Sequence, residues 1–171
     1  PSTSTSTSMP DRDEGASVLL IGDSIMGELS RAATHGVEAG GDDRATFVLA
    51  PNLPHTDGDA AVWRRALAET TPDVVVLHIG HWERLKVLGD FATGRRADPG
   101  TYVPEVVDPA LDLLGASGAR VLWLGPLPVP DRRETRFVAD LAREWRRASG
   151  ARGGDWLDLR TVVPATAPAR G

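Results

Sequence analysis

The chain has 171 residues, 41% of them hydrophobic and 25% charged, which is typical of one soluble globular domain. The net charge of −5 argues against nucleic acid as the main partner, and no apolar run approaches the ~20 residues of a membrane span. Because cysteine is absent, disulfides, thiolate nucleophiles and cysteine-ligated zinc are excluded, while the redox compartment stays open.

Residues 1–16 are predicted to form a tail or linker. They consist of a Ser/Thr/Pro repeat and a short charged stretch, which together bury too little apolar surface to offset the entropy lost on ordering. The segment lacks the basic and apolar regions of a signal peptide. We therefore expect a single domain over residues 17–171.

After the tail, short apolar runs alternate with segments of helical periodicity. The predicted strands are residues 17–22, 45–50, 72–80, 119–125 and 155–159, and the predicted helices are 25–36, 58–70, 108–118 and 131–150, with a long loop over 81–103. Strands that alternate with helices imply right-handed crossovers and a parallel sheet. The prediction is a flavodoxin-like, doubly wound, five-stranded α/β domain, a three-layer α/β/α sandwich whose ligands bind at the carboxyl ends of the strands.

Specific residues are expected to mark the ends of these helices, and others are expected to face the core. Gly36 is predicted to end the first helix, and Asp108 to cap a helix that begins at Pro109 and stops at Gly118. The residues expected to face the core are Ala61, Trp63, Leu67 and Ala68 in the second helix and Phe137, Leu141 and Trp145 in the last.

Ser24 is the strongest candidate for chemistry. It follows a buried strand and Gly22, and it opens a helix, where unpaired N–H groups and a partial positive charge favour a developing oxyanion. Gly22 permits a sharp turn and a close approach of substrate. A bare Gly-Asp-Ser would more often be a simple helix cap, but here it lies at the first strand-to-helix junction of an α/β chain.

This junction, VLLIGDSIM, resembles the first block of the SGNH hydrolases, also called GDSL esterases, and the likeness extends over residues 17 to about 159. The resemblance implies that Ser24 is the nucleophile, that its N–H belongs to the oxyanion hole, and that Asp23 is a local structural partner. The second block of the family offers the N–H of a glycine to the oxyanion, from the loop after the second strand. In this chain the only glycine of that loop is Gly58, and Asn52 or Leu53 could supply the N–H instead.

The third block of the family is Gly-x-Asn-Asp, and this chain has Gly80-His81-Trp82-Glu83. Glu83 replaces the aspartate, and Trp82 stands where the family has its asparagine donor. Trp82 could donate to the oxyanion, form a wall of the acyl or sugar pocket, or only pack the strand end. The Trp-Glu version resembles actinobacterial SGNH domains, some of which are attached to membrane acyltransferases that O-acylate surface sugars.

The family's C-terminal Asp-x-x-His, which supplies the base and its acid, has no counterpart here, because no histidine follows His81. The chain is therefore cut before its triad, or is catalytically degenerate, or uses another histidine. His81 is the first candidate by position and His55 the second, whereas His35 and His78 are expected to be surface or core residues. Asp155 and Asp158 are not assigned as the triad acid. His55 and Asp57 lack a third metal ligand.

The sequence thus favours a cofactor-free serine esterase or acyltransferase acting on a small acyl ester of a sugar or secondary metabolite. A second interpretation is a degenerate SGNH-like domain that binds a carbohydrate or acylated ligand without turnover. A third, a nucleotide or phosphate binder that uses the helix N-terminus at Ser24, ranks last because no phosphate-binding glycine motif is present.

Overall fold

A computed structural model describes residues 15–41, 43–80, 83, 99–128 and 132–163. Its five strands form one parallel sheet in the order β2-β1-β3-β4-β5, which confirms the predicted α/β class and topology. Each predicted strand is present, although β3, β4 and β5 are shorter than the runs that predicted them. The strands are β1 (Ser17–Gly22), β2 (Arg44–Leu49), β3 (Val74–His78), β4 (Arg120–Leu124) and β5 (Asp155–Leu157).

Helices cover both faces of the sheet, because side chains alternate between faces along each strand. On one face, Leu20 packs with Met26 of α1. On the other, Leu19 belongs to a larger core with Trp63 of α2 and Trp145 of α5. The helices are α1 (Ser24–Glu38), α2 (Asp57–Thr70), α3 (Pro99–Tyr102), a π-helical turn (Val103–Val107), α4 (Asp108–Gly115), α5 (Arg132–Ala151) and α6 (Leu159–Val162).

Helix α1 continues past the predicted stop. Gly36 lies inside the helix, and the chain ends it two residues later at Glu38. The apolar side chain of Val37 packs against the core beside Met26, and this contact outweighs the modest cost of a glycine within a helix. The prediction that Gly36 caps the helix is therefore wrong.

The predicted inward face of α2 is partly wrong. Trp63, Ala66 and Leu67 are buried, whereas Ala61 and Ala68 are exposed. Trp63 and Leu67 carry most of the apolar surface, so their burial orients the helix, while an alanine contributes too little area to change that orientation. In α5, Leu141 and Trp145 pack into the core as expected, with Phe137 partly buried against it.

Residues 99–115 are helical throughout, so two predictions are wrong here: residues 99–103 of the predicted loop are helical, and Asp108 is not an N-cap. Pro109 was expected to begin a new helix after the Asp108 cap. Instead, a π-helical turn spans Val103–Val107, and the N–H of Asp108 donates to the carbonyl of Val103, five residues earlier. The helix ends at Gly115, and Gly118 follows in the left-handed region with φ +77.

Candidate active site

Three strand ends meet at the carboxyl edge of the sheet. Beyond β1, the N–H of Asp23 donates to the carbonyl of His78 at 3.3 Å, and beyond β2 the N–H of Ala50 donates to the carbonyl of Gly22 at 2.8 Å. The segments that follow β1, β2 and β3 are thereby tied together. This is the edge at which open α/β sheets bind their ligands.

Asp23 fixes the turn that presents Ser24. Its buried carboxylate accepts from the N–H of Ile25 at 2.9 Å through Oδ1 and from the N–H of Gly80 at 3.3 Å through Oδ2. It is the N-cap of α1 and links this helix to the end of β3. Ser24 is consequently held as an exposed first residue of α1, beside the unpaired N–H groups of the helix start.

Gly22 is required by close packing at this turn. A Cβ there would lie 2.6 Å from the carbonyl oxygen of His78 and would also clash with the Cβ of Met26. Gly80 is less constrained, since its Cβ would lie 3.3 Å from the Cε1 atom of His78. Gly22 and Gly80 therefore both border His78, a residue that the sequence did not favour.

His78 is a buried histidine within an otherwise apolar strand. Its Nδ1 atom lies 3.4 Å from the carbonyl oxygen of Leu124, and its Nε2 atom is buried with no hydrogen-bond partner among the described residues. Burial lowers the pKa of the imidazole, against an opposing effect of the Asp23 carboxylate and of the Leu124 carbonyl. His78 is the single ionisable residue of β3, and this is the signal by which the sequence could have identified it.

Glu83 is the centre of a second buried polar cluster. Its fully buried carboxylate accepts from the N–H of Leu53 at 3.0 Å, from Nε2 of His55 at 2.8 Å and from the hydroxyl of Tyr102 at 2.7 Å. The indole N–H of Trp145 in turn donates to the Tyr102 hydroxyl at 3.2 Å. Burial first, and then the charge of Glu83, raise the pKa of Tyr102 well above its usual range. Sequence reasoning found Glu83 but missed Tyr102, and it assigned Trp145 only to the core.

The hydrogen bond from Leu53 to Glu83 engages one of the candidate oxyanion donors. The N–H of Leu53 is already donated to Glu83, so Leu53 is wrong as an alternative source of that N–H. The remaining candidate oxyanion donors are Asn52 in this loop and Gly58 in the helix start that follows. Gly58 lies exposed in the first turn of α2, which Thr56 caps, and the Oδ1 atom of Asn52 is buried without a hydrogen-bond partner in the described chain.

Two of the residues that the sequence singled out, His81 and Trp82, lie outside the described residues. Near the end of the chain, Asp155 pairs with Arg120 at 3.1 Å on the surface. Asp158 follows β5, caps α6 and pairs with Arg160, which lowers the pKa of its carboxyl. Both carboxylates are thus engaged by arginines.

Within the described ranges, no cluster of three or more His, Asp or Glu side chains could hold a metal ion. No helix of that same part of the chain is long and apolar enough to span a membrane.

Comparison with solved structures reveals several similar chains. An acetylxylan esterase from Geobacillus stearothermophilus has a TM-score of 0.67 and 14% identity, with 91% of this chain and 83% of that one covered. An acetyl xylan esterase, AlAXEase, has a TM-score of 0.58 and 16% identity over 85% and 78% of the two chains. An alpha/beta hydrolase enzyme from the metagenome of Lake Arreo, Spain, has a TM-score of 0.62 and 20% identity over 92% and 84%.

No protein-family model and no curated protein matches the sequence. The likeness is therefore one of architecture, carried by the parallel sheet and its helices at low sequence identity. The chain has the α/β fold of these hydrolases.

Proposed function

We propose that the protein is a serine ester hydrolase or O-acyltransferase that acts on a small acyl ester through a covalent acyl-Ser24 intermediate. The observation that carries the proposal is the exposed Ser24 at the start of α1, held there by the two N–H bonds to Asp23. The acetyl esterases among the structural neighbours support the reaction class. An acyl group on a sugar or a secondary metabolite is the substrate we favour.

In this reaction, the hydroxyl oxygen of Ser24 attacks the ester carbonyl as a histidine takes its proton. The N–H groups of Ser24 and Gly58, together with Trp82, stabilise the oxyanion. His81 is the candidate base by sequence position. Water or an acceptor hydroxyl then releases the acyl group, and neither a metal nor an organic cofactor takes part.

The wider assignment is to the SGNH, or GDSL, hydrolases and within them to the actinobacterial Trp-Glu variant. Support comes from the Gly22-Asp23-Ser24 junction and from the Gly80 and Glu83 positions. Such a domain could act alone or as part of a longer membrane acyltransferase. Among the structural neighbours, forms of the Geobacillus esterase in which a serine, an aspartate or a histidine is replaced by alanine are described as catalytic mutants.

A degenerate domain that binds a carbohydrate or acylated ligand without turnover is the second candidate. One observation favours it: the carboxylate at the end of β5, Asp158, is paired with Arg160 at 2.6 Å. A domain without a base would keep the fold and the oxyanion donors but would not acylate Ser24.

Hydrolysis of p-nitrophenyl acetate by the intact chain and by Ser24→Ala tests the proposal. Loss of turnover to the buffer background in Ser24→Ala is expected, because a nucleophile acts as one unit with its base. Ser30→Ala is the matched control, since Ser30 lies on the same helix and its hydroxyl donates only within that helix, to the carbonyl of Gly27. Equal rates of hydrolysis for the intact chain and Ser24→Ala would contradict the esterase and favour ligand binding without turnover.

A further inference from the structure

The end of β3 offers a proton acceptor that position in the sequence did not favour. We infer that His78 is the base of this site, with its Nε2 atom taking the proton of the Ser24 hydroxyl in place of His81 or a C-terminal histidine. The inference rests on the proposed function and names one further catalytic residue for it. Three independent features of the structure support it.

The first is place. In the β1–β3 ladder, His78 stands directly opposite Gly22, and the carbonyl of His78 accepts from the N–H of Asp23. Ser24 is the next residue along the chain. His78 is thus anchored by backbone bonds to the turn that carries the nucleophile.

The second feature is the direction of the ring. A Cβ built on Gly80 would lie 3.3 Å from Cε1 and 3.7 Å from Nε2 of His78, and 4.0 Å from Oδ2 of Asp23. The Nε2 edge of the imidazole and the Asp23 carboxylate therefore approach the same side of Gly80. Glycine leaves this space open.

The third feature is the tautomer. A carbonyl oxygen only accepts, so the Nδ1 atom near Leu124 must carry the proton, and Nε2 must hold the lone pair. That lone pair is buried and has no partner among the described residues. Buried polar atoms are normally satisfied, and an exception at a ligand-binding edge indicates a functional group.

The electrostatics suit a base. Burial disfavours the charged imidazolium and keeps the ring neutral before reaction. Asp23 is the charged group that acts on the ring from the described part of the chain, and it stabilises the imidazolium as the proton arrives. An Nδ1–H held by a carbonyl, an unpartnered Nε2 and a nearby carboxylate suit a general base.

Each step is balanced. As the Ser24 oxygen bonds to the acyl carbon, its proton moves to Nε2 of His78 and the carbonyl electron pair moves to the oxyanion. When the intermediate collapses, the ester C–O bond breaks and the alkoxide leaves with the proton from Nε2. Water then attacks the acyl-enzyme, giving one proton to Nε2, and Ser24 recovers that proton as the acid departs.

His78→Asn is the variant that tests this. An asparagine amide replaces the Nδ1–H donor toward Leu124 but supplies no basic nitrogen. We expect kcat for p-nitrophenyl acetate to fall about 10²–10⁴-fold with little change in KM, and labelling of Ser24 by a fluorophosphonate to slow in parallel. Imidazole added to His78→Ala should restore part of the rate. His35→Gln, an exposed histidine on α1, is the control.

The outcomes separate the two proposals. Wild-type turnover in His78→Asn alongside an inactive Ser24→Ala overturns the role of His78 and leaves the esterase intact, with His81→Gln as the next variant. Wild-type turnover in Ser24→Ala overturns the esterase itself. If His78→Asn fails to fold, a measurement on the native chain decides. Reaction of Ser24 with a reagent that leaves an anionic phosphonate should raise the pKa of His78 in an NMR titration, and an unchanged pKa refutes the inference.

Discussion

The N–H of Leu53 and the carboxylate of Glu83 form a buried 3.0 Å hydrogen bond although the two residues stand 30 positions apart. The bond fixes the loop after β2 to the segment after β3. Glu83 also accepts from His55 and from Tyr102, so one carboxylate holds two donors from the loop after β2 and one from α3.

Glu83→Ala should therefore destabilise the fold strongly. Removal of the carboxylate leaves the Leu53 N–H and the Tyr102 hydroxyl buried without an acceptor, and we expect a loss of about 3–5 kcal/mol in the free energy of unfolding. Urea denaturation measures it. Glu105→Ala, an exposed glutamate on the π-helical turn, should change stability by less than about 0.5 kcal/mol. Equal effects of the two substitutions would contradict the central place of Glu83.

Tyr102 is the only tyrosine of the chain, so its ionisation can be followed without assignment. Because burial and the Glu83 charge raise its pKa in the folded state, the unfolded state releases the phenolic proton first as the pH rises. This contribution to stability is complete below about pH 10 and is lost above it. We expect the ultraviolet absorbance of tyrosinate to appear only as the protein unfolds, whereas Tyr102→Phe should lack this alkaline loss. Reversible titration near pH 10 in the folded protein would refute the prediction.

Two glycines, Gly22 before the start of α1 and Gly36 near its end, should respond in opposite directions to alanine. Gly22→Ala places a methyl group against the carbonyl of His78 and the side chain of Met26, and should cost about 1–3 kcal/mol or more. Gly36→Ala, inside α1 with nothing within 4 Å of its Cβ, should gain about 0.5–1 kcal/mol. Thermal unfolding of both variants measures the difference. Stabilisation by Gly22→Ala would show that the turn is looser than described.

The sheet could be predicted because each strand is a short apolar run bounded by glycine, proline or charge, and because the runs alternate with helices. Helix ends could not be predicted as well. Gly36 continues a helix because Val37 gains core contact, and a π-helical turn that contains Pro104 leads directly into the helix that was expected to begin at Pro109. In both places tertiary packing outweighs the local preference of one residue.

The candidate site was predictable only where neighbours in the sequence are neighbours in space. Ser24 and Asp23 occupy one strand-to-helix junction, which the sequence identifies by itself. The partners of Glu83 lie 28 and 19 residues away at His55 and Tyr102, so only the fold reveals them. His78 was expected to be a buried core residue, and it is buried, but the unpartnered Nε2 atom could be found only in the structure.

The position of β1 between β2 and β3 has a consequence for local stability. The amides of β1 are enclosed on both sides by neighbouring strands, so their hydrogens should exchange with solvent only through global unfolding. The first turn of α1 begins two residues later, with Ser24 exposed. Ser24 therefore lies at a boundary between slow and fast hydrogen exchange, because it follows a strand protected on both sides and is itself exposed.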